Sequence, residues 1–79
     1  MKHYALGLAL LAATPAAAQD IGISLSNFDD VFFTSMREGM AEEAAKTGAS
    51  LQTEDARLDI GRQLSQVQNF VAQGVDAII

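Results

Sequence analysis

The residues best suited to chemistry lie together in one short run, Ser26-Asn27-Phe28-Asp29-Asp30-Val31-Phe32-Phe33. A hydroxyl, an amide and two carboxylates stand directly before a pair of aromatic rings. Hydrogen-bonding groups beside aromatic faces suit a small polyhydroxylated molecule, which has polar edges and apolar C–H faces. The same polar residues are also favoured helix caps, so one aspartate can serve a helix start. Capping and ligand contact are both open for Asp30. Phe33 falls at helical spacing with Met36 and Met40, which is core patterning. Phe32 lies off that stripe and is the better candidate to face a cleft.

Other chemistries fit less well. A dinucleotide site needs glycines in the first strand–helix turn, so that the backbone can approach a pyrophosphate. This turn has none, and its two aspartates repel phosphate. An acidic pair at a strand end also resembles the Mg²⁺-holding carboxylates of a receiver-like signalling module. The only histidine is His3, and no serine has a base near it in sequence. Adjacent carboxylates do not straddle a scissile bond as a glycosidase pair does. No residue pattern specifies an enzyme, a metal site or a cofactor, and the competing class is a receiver-like metal-binding module or an enzyme on a similar sheet.

The elements around the run must place it. Ile21, Ile23 and Leu25 alternate with small residues, which predicts a strand over 21–26 with one large-residue face and one face open to close packing. A helix is predicted over about 31–47. Its buried stripe is Phe33, Met36, Met40 and Ala44, and its solvated side carries Arg37, Glu38, Glu42, Glu43 and Lys46. Glu42 and Lys46 are placed for an i, i+4 pair. Gly39 in mid-helix suggests a close approach to the sheet, and Gly48 a left-handed C-terminus. Residues 49–54 read as a second strand, 55–59 as a loop ending in the cap Asp59, and 60–73 as a second helix. Ile60, Leu64, Val67 and Val71 form its apolar stripe, with Gln63, Gln66, Gln68, Asn69 and Gln73 on other faces. Gly74 ends it, and 75–79 reads as a buried third strand. The order β-α-β-α-β predicts an α/β fold with a parallel sheet and right-handed crossovers. Ser26–Asp30 and Asp55–Asp59 then share one rim, at the strand ends where open α/β sheets bind ligands.

Composition narrows the partners. The chain has 79 residues, no cysteine and a formal net charge of −5. It lacks the basic face that nucleic acid requires and the polybasic segment of a membrane anchor. No disulfide, thiolate metal site or thiol nucleophile is available. Lys2 and His3 precede the apolar run Tyr4–Ala13, and Pro15 and the small residues Ala16-Ala17-Ala18 follow. This is the pattern of a secretory signal peptide over 1–18, cleaved after Ala18. The run is far shorter than the ~20 residues that span a bilayer, so no membrane insertion is expected after cleavage. The remainder keeps Arg37, Lys46, Arg57 and Arg62 against ten carboxylates, a net −6. A protein exported to a bacterial periplasm fits these features. About 60 residues is marginal for a core of its own. Residues 19–79 are therefore expected to be part of a larger lobe.

The runs SLSNFDDVFFTSMREGMAEEAAKTG and DIGRQLSQVQNFVAQGVDAII resemble the bacterial periplasmic sugar-binding proteins of the ribose-binding type, the type I solute-binding proteins, on their inositol- and rhizopine-binding branch. The resemblance implies two α/β lobes that close on a sugar or cyclitol and deliver it to the membrane permease of an ABC transporter. It makes this chain the start of a Rossmann-like N-terminal lobe. It also implies ligand contacts for Ser26, Asp30, Phe32 and Phe33. The ribose-binding pattern has asparagine at the position of Asp30 and proline at that of Val31. A carboxylate only accepts hydrogen bonds, which favours a ligand rich in hydroxyl donors or one bearing an ammonium group.

Overall fold

The computed structural model describes residues 18–79. The expected signal peptide lies, apart from Ala18, outside them. The elements follow the expected order: β1 (Asp20–Leu25), α1 (Val31–Thr47), β2 (Ser50–Asp55), α2 (Ile60–Gln73) and β3 (Ala77–Ile78). The three strands form one parallel sheet in the order β2-β1-β3. Among the described residues, no helix is long and apolar enough to cross a membrane.

Local chemistry sets the helix limits. Asp30 Oδ1 accepts from Phe32 N at 2.8 Å at the start of α1, and Asp59 Oδ1 accepts from Arg62 N at 2.9 Å at the start of α2. Each carboxylate satisfies an amide with no partner inside its helix. Both helices end on a left-handed glycine, Gly48 at φ 80° and Gly74 at φ 75°, a conformation disfavoured for residues that carry a Cβ.

The alternation along β1 assigns its two faces as expected. Ile21 and Ile23 share an apolar hollow with Met40 and Ala44 of α1. Gly22 and Ser24 face α2, and the ring of Phe70 lies directly on Gly22. Ile23 and Phe70 are the largest fully buried side chains, so the central strand is packed from both sides.

Several expectations about packing are corrected. The sheet-facing side of α2 is Gln63, Gln66 and Phe70 rather than the Ile60, Leu64 and Val71 stripe. Those three are 86%, 57% and 67% exposed, with only Val67 of the stripe half-buried. The cause lies in β1: Gly22 opens a hole that takes the Phe70 ring, and Ser24 supplies a hydroxyl to Gln66. The Gln66, Asn69 and Gln73 flank lies over Gln52 and Glu54 of β2. The apolar flank therefore extends away from β2, towards the β3 side.

In α1 the buried stripe reaches only half-burial, because the helix covers one side of a three-stranded sheet. Gly39 is exposed, and a Cβ there would meet nothing within 4 Å, so it is not a point of close approach. Lys46 pairs with Glu43 at 3.9 Å rather than with Glu42. The pair is exposed and contributes little. Arg37 is half-buried against Phe28 rather than solvated. The third strand has two ladder residues, both exposed, because it borders β1 alone and neither helix is seated on it. Main-chain bonds still extend its pairing, with Asp76 N donating to Asp20 O at 2.7 Å and Ile79 N to Gly22 O at 2.8 Å.

Candidate functional site

The β1–α1 turn is built by its own side chains. Asn27 Oδ1 accepts from both Asp29 N and Asp30 N at 3.0 Å, which folds the chain back on itself. Asp30 then caps α1 through one oxygen, leaving the second carboxylate oxygen without a hydrogen bond among the described residues. Asp30 is exposed. Capping and ligand contact are therefore compatible in this one residue.

Phe32 follows at 63% exposure, so its ring is free to meet another molecule. Phe33 is half-buried, and the two rings meet edge to face with centroids 5.3 Å apart and planes at 71°. Phe33 thus belongs partly to the packed side of the helix and holds Phe32 at its edge. Asp30, Phe32 and Phe33 come together at the start of α1.

Ser26 is placed differently. Its carbonyl accepts from Leu58 N at 2.7 Å, which ties the first rim loop to the second. Ala56 N donates to Leu25 O at 2.8 Å in the same seam. Between the loops lies an open hollow of about 390 Å³ lined by Asn27, Asp29, Asp55, Arg57 and Leu58. The expected shared rim is present.

The second loop is shaped by left-handed backbone at two residues that carry side chains, Arg57 at φ 53° and Leu58 at φ 57°. Asp55 Oδ1 accepts from Arg57 N at 2.8 Å and supports that conformation. Beneath the rim, Gln66 Nε2 donates to Asp55 O at 2.9 Å and Gln66 Oε1 accepts from Ser24 Oγ at 2.8 Å. Gln66 thus links the C-terminal ends of β1 and β2. Among the described residues, no three of His, Cys, Asp and Glu gather into a group able to hold a metal ion.

Phe28, Arg37, Gln63, Gln66 and Phe70 contribute to the rim or its support without standing out in the sequence. For the α2 residues the signal was the spacing i, i+3, i+7 from Gln63 to Phe70, read against a glycine in β1.

The model of the periplasmic binding protein domain family matches residues 21–79, which hold both helices and all of the sheet but Asp20. The chain belongs to the periplasmic binding protein domain family. A protein of Rhizobium meliloti, provisionally named a rhizopine-binding protein, is 52% identical over all of this chain, which covers 26% of that relative. The ribose import binding protein of Bacillus subtilis is 39% identical over 75% of the chain, covering 19% of its own length. The ribose import binding protein of Haemophilus influenzae is 26% identical over 91% of the chain, covering 25% of its length. This periplasmic binding protein domain thus spans about a quarter or less of the relatives it matches. No solved structure gives a significant match.

Proposed function

We propose that the whole protein is the substrate-binding component of an ABC-type import system, and that it captures a sugar or cyclitol in the bacterial periplasm without covalent chemistry. Residues 19–79 form the first part of its N-terminal lobe, behind a cleaved signal peptide. The observation that carries this reading is that the Asp30 carboxylate, bonded to Phe32 N, and the ring of Phe32 both stand exposed at the start of α1. The names of its relatives, which describe rhizopine and ribose binding, support the ligand class.

In this reading Asp30 accepts hydrogen bonds from ligand hydroxyl or amine groups, Phe32 and Phe33 cover an apolar ring face, and Ser26 completes the first loop. A carboxylate that accepts only, beside an aromatic face, suits a hydroxyl-rich or ammonium-bearing ring better than a neutral acceptor-rich one. The exposed Ile60, Leu64 and Val71 flank and the open edge of β3 are where the remainder of the lobe packs. A second lobe closes on the rim, and the closed form docks on the membrane permease. The test is a thermal-shift panel of sugars and cyclitols on the full-length protein. A rise in melting temperature with one of them supports the reading, and no shift with any member contradicts it.

A further inference from the structure

Neighbouring residues of the β1–α1 turn point in opposite directions. Asn27 and Asp29 line the rim hollow. Phe28, between them, points to the opposite side, into a hollow on the flank of α1 with Thr34, Arg37, Ala41 and Thr53. There Arg37 covers it. The guanidinium carbon stands 4.0 Å from the ring centroid. Arg37 Nη2 and Thr34 Oγ1 both donate to Phe28 O, each at 3.4 Å. The turn is therefore gripped from behind, by its ring and by its carbonyl, from the second turn of the helix it begins.

Packing alone does not call for arginine at this position. Its Nε is buried and has no hydrogen-bond partner among the described residues. A buried donor without a partner is destabilising, and an apolar side chain would fill the same flank without one. What arginine adds is a flat cation that stacks on a ring while its fork reaches the carbonyl beside it. That combination adds a brace from behind to a turn that Asn27 already folds. A turn fixed before ligand arrives loses less freedom on binding.

We propose that Arg37 is a positioning residue for the rim: stacked on Phe28 and bonded to its carbonyl, it holds the turn that presents Asp30 and Phe32 to the ligand. The inference rests on the ligand-binding function proposed above for the same rim.

The test compares wild type, Arg37→Lys and Arg37→Met in the full-length protein by two measurements. Amide hydrogen exchange without ligand reads the turn directly. Calorimetric titration with myo-inositol and with D-ribose reads binding. The expected result for Arg37→Met is roughly tenfold faster exchange at Asp29, Asp30 and Phe32, with the β1 and β2 amides unchanged. Affinity for whichever probe binds wild type falls by roughly tenfold. Arg37→Lys, which keeps the cation but not the fork, lies between. Unchanged exchange in the turn overturns the proposal, as does a uniform rise across the sheet, which marks a structural role only. Faster exchange in the turn with unchanged affinity also overturns it. If wild type binds neither probe while the turn amides still accelerate, Arg37's hold on the turn stands and its effect on binding fails for these two ligands.

Discussion

Phe70 occupies the space that a side chain on Gly22 would fill. A Cβ built on Gly22 would lie 2.6 Å from both Cδ atoms of the Phe70 ring and closer still to its Cγ. Phe70 is 1% exposed, so the ring has little room to withdraw. This contact seats α2 on the central strand, and with it Gln66, which ties together the ends of β1 and β2.

Gly22→Ala should therefore destabilise the full-length protein by about 1–3 kcal/mol through overpacking. Phe70→Ala should cost about 3–5 kcal/mol through the cavity it leaves. Combining Gly22→Ala with Phe70→Leu should recover part of the loss, since the smaller side chain vacates the space the methyl needs. Denaturant unfolding of Gly22→Ala, Phe70→Leu and the double variant checks this, and additive losses would count against the contact.

Gly39 is the opposite case. It sits in the interior of α1, exposed, with nothing within 4 Å of a prospective Cβ. Gly39→Ala should raise stability by about 0.5–1 kcal/mol from helix propensity and the reduced freedom of the unfolded chain. Thermal unfolding reads the gain, and a loss would mean that another part of the full-length protein packs there.

Asp30 has two separable roles. Asp30→Ala removes the cap on Phe32 N and should cost about 1 kcal/mol. Asp30→Asn keeps a good cap, so stability should stay within about 0.5 kcal/mol of wild type. The amide keeps one acceptor oxygen, exchanges the other for a donor NH₂ and removes the negative charge. Ligand binding should weaken by about 1.5–3 kcal/mol, the range for a hydrogen bond to a charged group. Melting temperature and calorimetric affinity together separate the cap from the contact.

Ser24 and Gln66 make a fourth check. Ser24→Ala leaves Gln66 Oε1 without its 2.8 Å donor in a half-buried seam. The expected loss is about 1 kcal/mol. Ser24→Ala together with Gln66→Leu should cost less than the sum of the two changes, and strict additivity in a double-mutant cycle would show that the bond contributes nothing.

The order and limits of the elements were legible because local residues set them. Asp30, Gly48, Asp59 and Gly74 act on their immediate neighbours; Gly48, Asp59 and Gly74 cap where the sequence predicts, and of the two aspartates open to cap the first helix it is Asp30 that does so. The faces of β1 were legible for the same reason, since large and small residues alternate. What α2 buries was not legible from its own periodicity. Its stripe of Ile60, Leu64 and Val71 is the more regular pattern, yet the buried face is decided by a glycine far away in β1. Arg37 was misplaced because a charged residue among glutamates reads as solvated. Its guanidinium turns back over Phe28, a residue whose role depends on the turn's geometry rather than on spacing. At the rim, Asp30 and Phe32 stood out by type and position, whereas the seam from Ser26 to Leu58 depends on two left-handed residues that no local signal announces.

The proposed function places a sugar or cyclitol at Asp30 and Phe32. The measurement that tests it most directly is isothermal titration of the full-length protein with myo-inositol, an amino-cyclitol, D-ribose and D-glucose. The expected result is saturable binding of at least one of them at one site per protein, weakened by Asp30→Asn without loss of fold. Absence of binding to all four, or binding unchanged by Asp30→Asn, would contradict it.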